Sequence, residues 1–553
     1  MWIAYSEQPL EPDELCQALG VVIGSTDLDS DNAPSIRTVL NCGLGLVTVD
    51  SSSCQVRLVH FTLQEYILSH PTLFCSPHST IAEVCLTYLN FGCIKELPPD
   101  RRQLPPTTPF LEYASRYWAA HARRQTSTRV ISLALELIYG FNAHISSKLL
   151  IDGDEESGPW DGEYHEIMGP TALHAGAIFG VLEIMVSLLK MDKWNLNATD
   201  WYDRTALMWA SIMGHDAIVK VLLEQEGVGP DIADYSGRTP LSFAAGKGYE
   251  GVVEMLLKRS DVSLDTADGD GRTPLSFAAG KGCGEVVRML LERNEVNPNA
   301  AGYIDGRTPL SWAARNGNWE VVRVLLEWGK VNPDAIERGG RTPLSSAAEY
   351  GCGEVVRVLL ERNDVNPSAA DDGGRTPLSR AAENGHWEIV RMLLEREEVN
   401  PNTMDRGGRT PLSWAAGLSS WSQEGRDRVV KTLLERNDVD PDIPDKSGRT
   451  PLSRAAKYGF GEVVRMLLER NDVNPDKADN RGRTPLLMAA WYRKGEIVEM
   501  LIQRNDVNPN IADESGRTLF SWACEGRCPR TVRALLELNH VNPDAVDMLD
   551  SGL

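Results

Sequence analysis

The stretch TPLSWAARNGNWEVVRVLLEWGKVNP, residues 308–333, decides the fold of this chain. Its opening Thr is typical of a helix N-cap, and the Pro that follows suits a first helical turn, where no amide donor is needed. Leu310, Ala313 and Ala314 then predict a short first helix. Gly317 comes after this helix and predicts a left-handed helix end, a conformation that glycine adopts without steric cost.

A second amphipathic helix follows within the same stretch. A Val-Val pair at 321–322 and a Leu-Leu pair at 325–326 stand four residues apart, which places them on one apolar face. Pro333 and turn residues of the Gly306 type then predict an extended loop that leads to the next Thr. Helices of about eight to ten residues are marginal alone, so stability must come from the stacking of neighbouring units.

This unit recurs along most of the chain. A Thr that opens a T-P-L, T-A-L or T-L-F triplet occurs at positions 171, 205, 239, 273, 308, 342, 376, 410, 450, 484 and 518. The successive intervals are 34, 34, 34, 35, 34, 34, 34, 40, 34 and 34 residues. A Gly stands nine residues after the Thr in eight of the eleven units, from Gly180 to Gly459. This near-constant period predicts a solenoid, whose units we number repeat one to repeat eleven.

The sequence GRTPLSWAARNGNWEVVRVLLE, residues 306–327, resembles the ankyrin repeat, whose core reads T-P-L-H-x-A. The resemblance covers residues 168–548 and implies an all-α dominated solenoid of about eleven repeats, each a pair of helices followed by a hairpin. The usual His is present only as His174, and Ser mostly replaces it. The loop sequence RNDVNP, as at 362–367, is one residue longer than the usual one. Both departures concern the fine geometry of the hairpin.

The first 150 residues contain no such repeat. Residues 47–49 and 56–58 alternate apolar and polar side chains on either side of a Ser-rich turn, which predicts a β-hairpin. Helical patterns are predicted at Glu11–Leu19, Ser35–Leu40, Leu63–Ser69, Thr80–Leu89, Leu111–His121 and Arg129–Tyr139. Helices followed by a two-stranded wing suggest a small winged-helix module with a helical extension.

The segment VRLVHFTLQEYILSHPTLFCSPHSTIAEVCLTYLNF, residues 56–91, is similar to the stretch that follows the NTPase core in fungal NACHT–ankyrin receptors of the STAND class. The chain contains no G-x-x-x-x-G-K-[ST] motif, so the resemblance implies a truncated relative without nucleotide-binding residues. The predicted organisation is a winged-helix-like module at 1–78, a helical extension at 79–150, a linker at 151–167, ankyrin repeats at 168–548 and a tail at 549–553.

Composition narrows the classes of partner. The formal net charge of −22 repels phosphate backbones and anionic lipid headgroups, so nucleic acid and membranes are poor partners. The predicted wing offers only Arg57 to DNA, which favours a packing or oligomerisation role for that module. No apolar run approaches the roughly 20 residues that span a bilayer, and the opening MWIAYSEQPL lacks the features of a secretory signal. We expect a cytoplasmic protein, with the nucleus left open.

No catalytic or metal-binding constellation is evident in the sequence. The ten His follow no HExxH or paired spacing, and His60 has no Ser or Cys clearly placed as its nucleophile. Cys524 and Cys528 are expected to serve as small apolar residues of a repeat helix. We expect a non-enzymatic protein without a metal or cofactor.

An Arg precedes the Thr in ten of the eleven units. Guanidinium groups about 10 Å apart would form a positive row along the solenoid. Two interpretations are open: the row binds a partner, or each Arg pairs with an Asp of its own or the neighbouring hairpin, such as Asp305, Asp371 or Asp445. The ten residues are Arg204, Arg238, Arg272, Arg307, Arg341, Arg375, Arg409, Arg449, Arg483 and Arg517.

Two further positions vary between repeats: the residue two places after the triplet's Leu, and the pair after Ala-Ala. Trp, Tyr and Arg, which are enriched at binding hot spots, occur at both. The alternative is that some of the aromatic side chains fill the seam between repeats. The predicted partner-binding set is Arg238, Arg272, Arg307, Arg341, Arg375, Arg409, Trp312, Arg315, Tyr350, Arg380, Trp414, Arg454, Tyr458, Trp491 and Tyr492.

Repeat eight carries six extra residues between its helices, in GLSSWSQEGRDR at 417–428. They are either a tolerated surface insertion or a Trp421-bearing loop that contacts a partner. The predicted function is a scaffold that binds a partner protein on the concave ankyrin surface, in recognition or signalling of the STAND type. The alternatives are a regulatory subunit that packs on an intact NACHT-bearing paralogue, and a fragment of a split NACHT–ankyrin gene.

Overall fold

The computed structural model describes residues 1–97, 105–141, 144–145, 171–191, 193–417, 423–519 and 521–522. It confirms the predicted fold class, because helices dominate and pairs of short helices recur at the predicted period. The chain divides into two compact units, Met1–Gly269 and Asp270–Leu553. The first unit contains the non-repeat segment and repeats one to three, and the second contains the later repeats.

The elements of the non-repeat segment agree with the sequence prediction. Strands β1 (Val47–Val49) and β2 (Val56–Leu58) pair antiparallel, with Thr48 opposite Arg57. Each predicted helix is present, with ends displaced by no more than three residues. The helices are α1 (Trp2–Tyr5), α2 (Pro12–Gly20), α3 (Ile36–Cys42), α4 (Phe61–Ser69), α5 (Pro77–Leu89), α6 (Gly92–Lys95), α7 (Leu111–Arg124) and α8 (Thr128–Tyr139), with short 3-10 helices at Ser30–Asn32 and Pro71–Leu73. The boundaries of a winged-helix module stay a prediction.

The core of this segment lies between α5 and α7, where Tyr88 and Trp118 are fully buried. A buried amide fixes α2 against this core. The side-chain oxygen of Gln17 accepts hydrogen bonds from the Tyr88 hydroxyl and the Phe110 amide, each at 3.0 Å. Its Nε2 donates to the carbonyl of Thr107 at 2.9 Å. A fully satisfied polar group of this kind specifies one packing arrangement.

Each described repeat has a first helix and a second helix. The first helices are α9 (Ala172–Phe179), α11 (Ala206–Met213), α13 (Pro240–Lys247), α15 (Pro274–Lys281), α17 (Pro309–Arg315), α19 (Pro343–Tyr350), α21 (Pro377–Glu383), α23 (Pro411–Ala415), α25 (Pro451–Tyr458) and α27 (Pro485–Trp491). The second helices are α10 (Leu182–Leu189), α12 (Asp216–Leu223), α14 (Glu250–Leu257), α16 (Gly284–Leu291), α18 (Trp319–Glu327), α20 (Gly353–Leu360), α22 (Trp387–Leu394), α24 (Gln423–Leu434), α26 (Gly461–Leu468) and α28 (Gly495–Ile502). Repeat eleven lies mostly outside the described residues.

The predicted helix ends are confirmed. The Thr308 side chain accepts a hydrogen bond from the amide of Ser311, and the equivalent Thr does the same throughout repeats two to ten. The eight glycines predicted after the first helices all have positive φ. Glycine is required at Gly351 for a second reason, because a Cβ there would lie 2.6 Å from Cε1 of His386 in the next repeat. Gly351 therefore both ends a helix and admits the neighbouring repeat.

Stacking buries the apolar positions of each unit. In repeat six the side chains of Ala347, Ala348, Val355, Val356 and Leu359 are fully buried. The small alanines let neighbouring first helices approach, and the Val and Leu side chains are covered by neighbouring second helices. Burial of these short helices supplies the stability that their length alone does not give.

The hairpin turns of most described repeats are built on an aspartate. In repeat seven the Oδ1 atom of Asp371 accepts from the amides of Gly373 and Arg375, both at 2.8 Å. The Asp371 amide also donates to the Arg375 carbonyl at 2.9 Å, which closes the turn. The amide of Asp372 donates to the carbonyl of Gly339 in the preceding turn at 2.9 Å. Successive turns within the second unit are therefore joined by backbone hydrogen bonds.

The longer RNDVNP loop has a structural role. In repeat six the guanidinium of Arg362 forms a fork with Asp364, at 2.8 and 2.6 Å. Its third nitrogen donates at 3.2 Å to the carbonyl of Leu326, at the end of the preceding second helix. The last carbonyls of a helix lack intrahelical donors, so this arginine caps its neighbour. Equivalent bonds are made by Arg259, Arg396, Arg436, Arg470 and Arg504.

The extra residues of repeat eight lengthen its second helix. Helix α24 has 12 residues, whereas the second helices of the repeats on either side have eight. The first helix α23 is correspondingly short, with five residues. Trp421, which carried one interpretation of the insertion, lies outside the described residues.

Candidate protein-binding surface

The arginines that precede the Thr caps lie in the hairpin turns and are ion-paired there. Arg375 Nε lies 3.3 Å from Oδ2 of Asp371, and Arg409 Nε lies 3.1 Å from Oδ2 of Asp405. Arg272 pairs with Asp270 at 2.9 Å through Nη2. The Asp-pairing interpretation therefore describes these side chains, and their contact with a partner stays a prediction.

Exposure divides the same arginines into two groups. Arg307 is buried, and its guanidinium pairs with Asp305 at 3.0 Å and with Glu337 at 3.2 Å. Arg341, like Arg272, Arg375 and Arg409, remains partly accessible. In the first unit the guanidinium of Arg238 lies 5.1 Å from the ring centre of Phe243. Arg307 is thus a structural residue of the stack, contrary to the expectation of an exposed position.

The position two places after the triplet's Leu faces the neighbouring repeat. Arg380, Trp414 and Arg454 are each only 7 % exposed, contrary to the exposure expected of them, and their contact with a partner stays a prediction. Arg380 pairs with Asp371 of its own turn and with Glu349 of the preceding repeat at 3.4 Å. Seam packing, the alternative interpretation for the aromatic side chains, agrees with the burial of Trp414. Trp312 at the same position is half-buried under Arg307, whose guanidinium lies 4.9 Å from the indole centre.

Charge pairing offsets burial for one of these buried groups and not for another. Burial opposes ionisation of the Asp371 carboxyl, but the Arg375 amide and the Arg380 guanidinium outweigh it and lower its pKa. For Arg454, burial is the main effect and lowers the pKa of the guanidinium, while the Asp445 carboxylate opposes that change. Both arginines are thus ion-paired within their own repeat, and each also contacts the preceding repeat, Arg380 through Glu349 and Arg454 through the Ser413 carbonyl.

The ends of the first helices do carry exposed aromatic side chains. Tyr350 is 45 % exposed, Trp491 37 % and Tyr492 39 %. The Arg315 guanidinium lies 4.7 Å from the Tyr350 ring centre, which is cation–π geometry across two neighbouring repeats. The residues after Ala-Ala are therefore the most exposed aromatic members of the predicted set.

Repeats nine and ten concentrate these groups in what we call the aromatic patch, formed by Lys457, Tyr458, Trp491 and Tyr492. The Lys457 Nζ lies 4.9 Å from the Tyr458 ring centre and 5.0 Å from that of Tyr492. Trp491 stacks on Trp522 with ring centres 4.8 Å apart. Large aromatic side chains held in place by neighbours but open to solvent are typical anchors of protein interfaces.

The turn tips carry exposed side chains that the sequence analysis did not select. They lie within the three positions before the Gly-Arg pair of each turn, and the signal that could have found them is their variation inside a constant frame. In the second unit they include Tyr303, Ile304, Arg338, Asp372, Arg406, Lys446 and Arg481. In repeats eight to ten the tips are basic, although the chain as a whole is acidic.

Two other kinds of feature are absent from the described part of the chain. No group of three or more His, Cys, Asp or Glu among those residues is placed to hold a metal ion. None of the helices that the structure describes combines the length and apolar character needed to cross a bilayer. Cys524 and Cys528 lie outside the described residues.

Comparison with known proteins agrees with this geometry. The family model "Ankyrin repeats (3 copies)" matches residues 138–234, 226–302, 293–371, 363–421 and 418–513. Among solved structures, the crystal structure of the ankyrin repeat domain of Bcl-3, described as a unique member of the IkappaB protein family, is 28 % identical, with a TM-score of 0.34. That match covers 38 % of this chain and 93 % of the Bcl-3 chain. The search of curated proteins gave no match. With more than half of its length matched, the chain belongs to the ankyrin-repeat family.

Proposed function

We propose that this protein is a non-enzymatic scaffold that holds a partner protein on the face formed by the turn tips and the ends of the first helices. Ankyrin repeats are protein-interaction modules, which supports the general class of function. The observation that carries the proposal is the contrast between a buried, repeated frame and the varied, exposed positions on that face.

The frame is the same in every described repeat of the second unit. Its Thr caps are buried, and so are its Ala-Ala pairs, with Thr342, Ala347 and Ala348 as the example in repeat six. The position directly after Ala-Ala is accessible and changes from Arg315 to Glu349 to Lys457 in different repeats. A rigid frame whose repeats differ only in their exposed residues loses little conformational entropy when it binds a partner.

Within this face we place the main contact at the aromatic patch. Its three rings offer apolar area, and Lys457 together with the basic tips Arg406, Lys446 and Arg481 offers positive charge. We infer a partner that presents apolar anchor side chains flanked by carboxylates.

The test is affinity capture from a native lysate with the full chain as bait, repeated with the Trp491→Ala/Tyr492→Ala double variant. We expect at least one protein that the wild-type chain retains and the double variant loses. Arg465→Ala, on an exposed site of second helix α26, is the matched control and should retain it. Identical recovery by all three chains would overturn the assignment of the patch.

A second candidate function rests on the non-repeat segment. Helices α3 and α4 contain no buried residue, although α4 reads FTLQEYILS. Leu44 is 88 % exposed and Phe61 66 %, and Leu46, Val59 and Tyr66 are also exposed. A cluster of exposed large apolar side chains marks a surface that another protein covers.

The resemblance of residues 56–91 to NACHT–ankyrin receptors suggests what that protein is. We propose that this apolar surface packs on an NTPase of the NACHT class, either as a regulatory subunit on a paralogue or as part of one split receptor. Co-expression with a NACHT-bearing paralogue should give a complex that Phe61→Glu disrupts and Phe243→Leu, in the repeats, does not. The absence of any complex at micromolar concentration would count against this candidate.

A further inference from the structure

The second helix of repeat eight departs from its neighbours in length. Its first turn, Gln423–Arg426, has no counterpart in the other second helices described, judging by the alignment of Val429 and Val430 with Ile389 and Val390. Arg426 in this turn is buried, and its guanidinium lies 3.5 Å from the ring centre of Phe460 in repeat nine. The extra turn is therefore packed against the stack.

This helix carries more positive charge than the neighbouring second helices. In repeats four and six a Glu at the second position of the helix pairs with an Arg three residues later, as Glu285 does with Arg288 at 2.8 Å. Repeat nine has the same pair, Glu462 with Arg465. Repeat eight has Arg428 in place of the Glu and Lys431 in place of the Arg. One acid–base pair has become two positive charges.

A groove lies between α22 and α24, with a volume of about 460 Å³. Trp387, Arg391 and Leu394 line its α22 wall, and Arg428 and Lys431 line its α24 wall. The Trp387 ring lies close to two cations, since the Arg428 guanidinium is 5.3 Å and the Arg391 guanidinium 5.6 Å from the ring centre. The groove thus combines an aromatic surface with positive charge on both walls.

The cations of this groove are only partly neutralised. Arg428 pairs with Glu424 at 2.6 Å, and that pair is exposed to solvent and therefore weak. Arg436, at one end, is engaged by Asp438 at 2.7 Å. For Arg391 and Lys431, no carboxylate of the described chain lies within ion-pair distance.

We propose that this groove is a second protein-binding site, which takes an acidic segment of a partner in extended conformation. Carboxylates of the segment pair with Arg391, Arg428 and Lys431. An apolar side chain on its other side packs against Trp387 and Leu394, because successive side chains of an extended chain point in opposite directions. Charge complementarity carries the choice of occupant, since the lining has four cationic side chains against two carboxylates in a chain of net charge −22.

The test uses the full chain and a short fluorescein-labelled peptide in which Glu alternates with Leu, followed by fluorescence anisotropy. The informative variant is Arg428→Glu, because it restores the residue type that neighbouring repeats carry at this position and so preserves the helix. We expect it to weaken peptide binding about tenfold. Lys431→Ala is the second variant and should weaken binding in the same direction.

Three controls distinguish binding in this groove from general attraction between charges and from binding at the aromatic patch. Arg357→Glu, the same exchange on exposed helix α20 of repeat six, should leave affinity within about twofold. A peptide with Lys in place of Glu should not bind. The Trp491→Ala/Tyr492→Ala variant should bind the acidic peptide like wild type. A negative result for the groove therefore leaves the proposal for the aromatic patch untouched, and the reverse is also true.

The proposal is overturned if Arg428→Glu and Arg357→Glu have equal effects, or if the wild-type chain does not bind the acidic peptide. Equally tight binding of a single-stranded oligonucleotide would also overturn it, because the groove would then recognise negative charge without regard to chemistry. Displacement of the acidic peptide by high salt, with no displacement by the Lys peptide, supports it.

Discussion

The carboxylate of Glu337 lies 3.2 Å from Nε of Arg307 in the preceding repeat, and its side chain is fully buried. The contact accommodates the one spacing of 35 residues, which separates Thr273 from Thr308. The turn of repeat five runs from Gly302 to Arg307, one residue longer than the turns built on Asp. In repeat six a Glu replaces the usual Asp and reaches this displaced arginine, while Ser346 donates to its Oε1 at 3.0 Å. An irregularity in one repeat is compensated in the next.

Glu337→Gln should destabilise the second unit by about 3 kcal/mol, because it leaves the buried Arg307 with only Asp305 as a charged partner. The measurement is the shift in the urea midpoint followed by far-UV circular dichroism. Glu354→Gln, in an exposed pair with Arg357, is the control and should cost less than about 0.5 kcal/mol. Equal shifts for both variants would mean that the Glu337 pair adds nothing to stability.

Arg470→Met should cost about 1–2 kcal/mol, because it removes the donor to the Leu434 carbonyl at 3.0 Å and leaves a helix end without its cap. Hydrogen exchange should quicken at the end of α24 in particular. Arg465→Met removes an exposed arginine from the same repeat and should leave that exchange unchanged. A uniform effect along the second unit would contradict a capping role.

Asp334→Asn should stabilise the protein by about 1 kcal/mol at neutral pH. The Oδ2 atom of Asp334 accepts from the Asn366 amide at 2.9 Å, but its Oδ1 is buried with no hydrogen-bond donor among the described residues. At the equivalent place in repeat five, the side chain of Asn299 makes a hydrogen bond with each of its two polar atoms. Its Oδ1 accepts from the Asn332 amide and its Nδ2 donates to the Lys330 carbonyl, each at 2.8 Å.

The pH dependence of this site has a definite sign. Burial raises the pKa of the Asp334 carboxyl, so the folded state prefers the protonated form. Stability from this site is fully present below the pKa of the unfolded chain and is lost as pH rises through the raised pKa. Asp334→Asn should remove that loss, and thermal melts at acidic and neutral pH check it. A variant that is less stable than wild type at neutral pH would contradict the account.

The first unit should lose stability on acidification. Nδ1 of His121 lies 2.8 Å from Nδ1 of His78, and its Nε2 lies 2.9 Å from the Tyr113 hydroxyl. Burial, with His78 and Arg124 as further causes, lowers the pKa of His121 to about 3. Because the unfolded chain takes up a proton near pH 6.5 and the folded chain does not, stability should fall by up to about 1.4 kcal/mol per pH unit between those values.

His121→Gln tests this prediction, since it keeps a hydrogen-bonding group beside Tyr113 but cannot titrate. The slope of melting temperature against pH below 6.5 should decrease in the variant. The exposed His70→Gln serves as control and should keep the wild-type slope. An unchanged slope in His121→Gln would show that this histidine is not the titrating group.

The repeat frame was predictable from sequence because its determinants are local. Thr308 caps a helix that begins one residue later, and Gly351 sits where a left-handed end is needed. The burial of Arg380 was not predictable in this way, since it depends on Asp371, nine residues earlier, and on Glu349 in the preceding repeat. An arginine at a position that varies between repeats is expected at the surface. Only the location of those two carboxylates in the fold shows why Arg380 is buried.

The same limit applied to the groove at Trp387 but not to the aromatic patch. Trp491 and Tyr492 were selected because they vary within a constant frame, and their exposure agrees with that choice. The groove at Trp387 was missed, because the pairing of Arg391 and Arg428 around one ring depends on how two separate helices lie together. Only the exchange of Glu for Arg at 428 was visible as a signal in the sequence.

The most direct test of partner binding is the dissociation constant of the captured partner for the Trp491→Ala/Tyr492→Ala variant, measured by isothermal titration calorimetry. The account predicts affinity weaker by about tenfold or more, with unchanged thermal stability and with wild-type affinity for Arg465→Ala. Equal affinity of the double variant and the wild-type chain would contradict it.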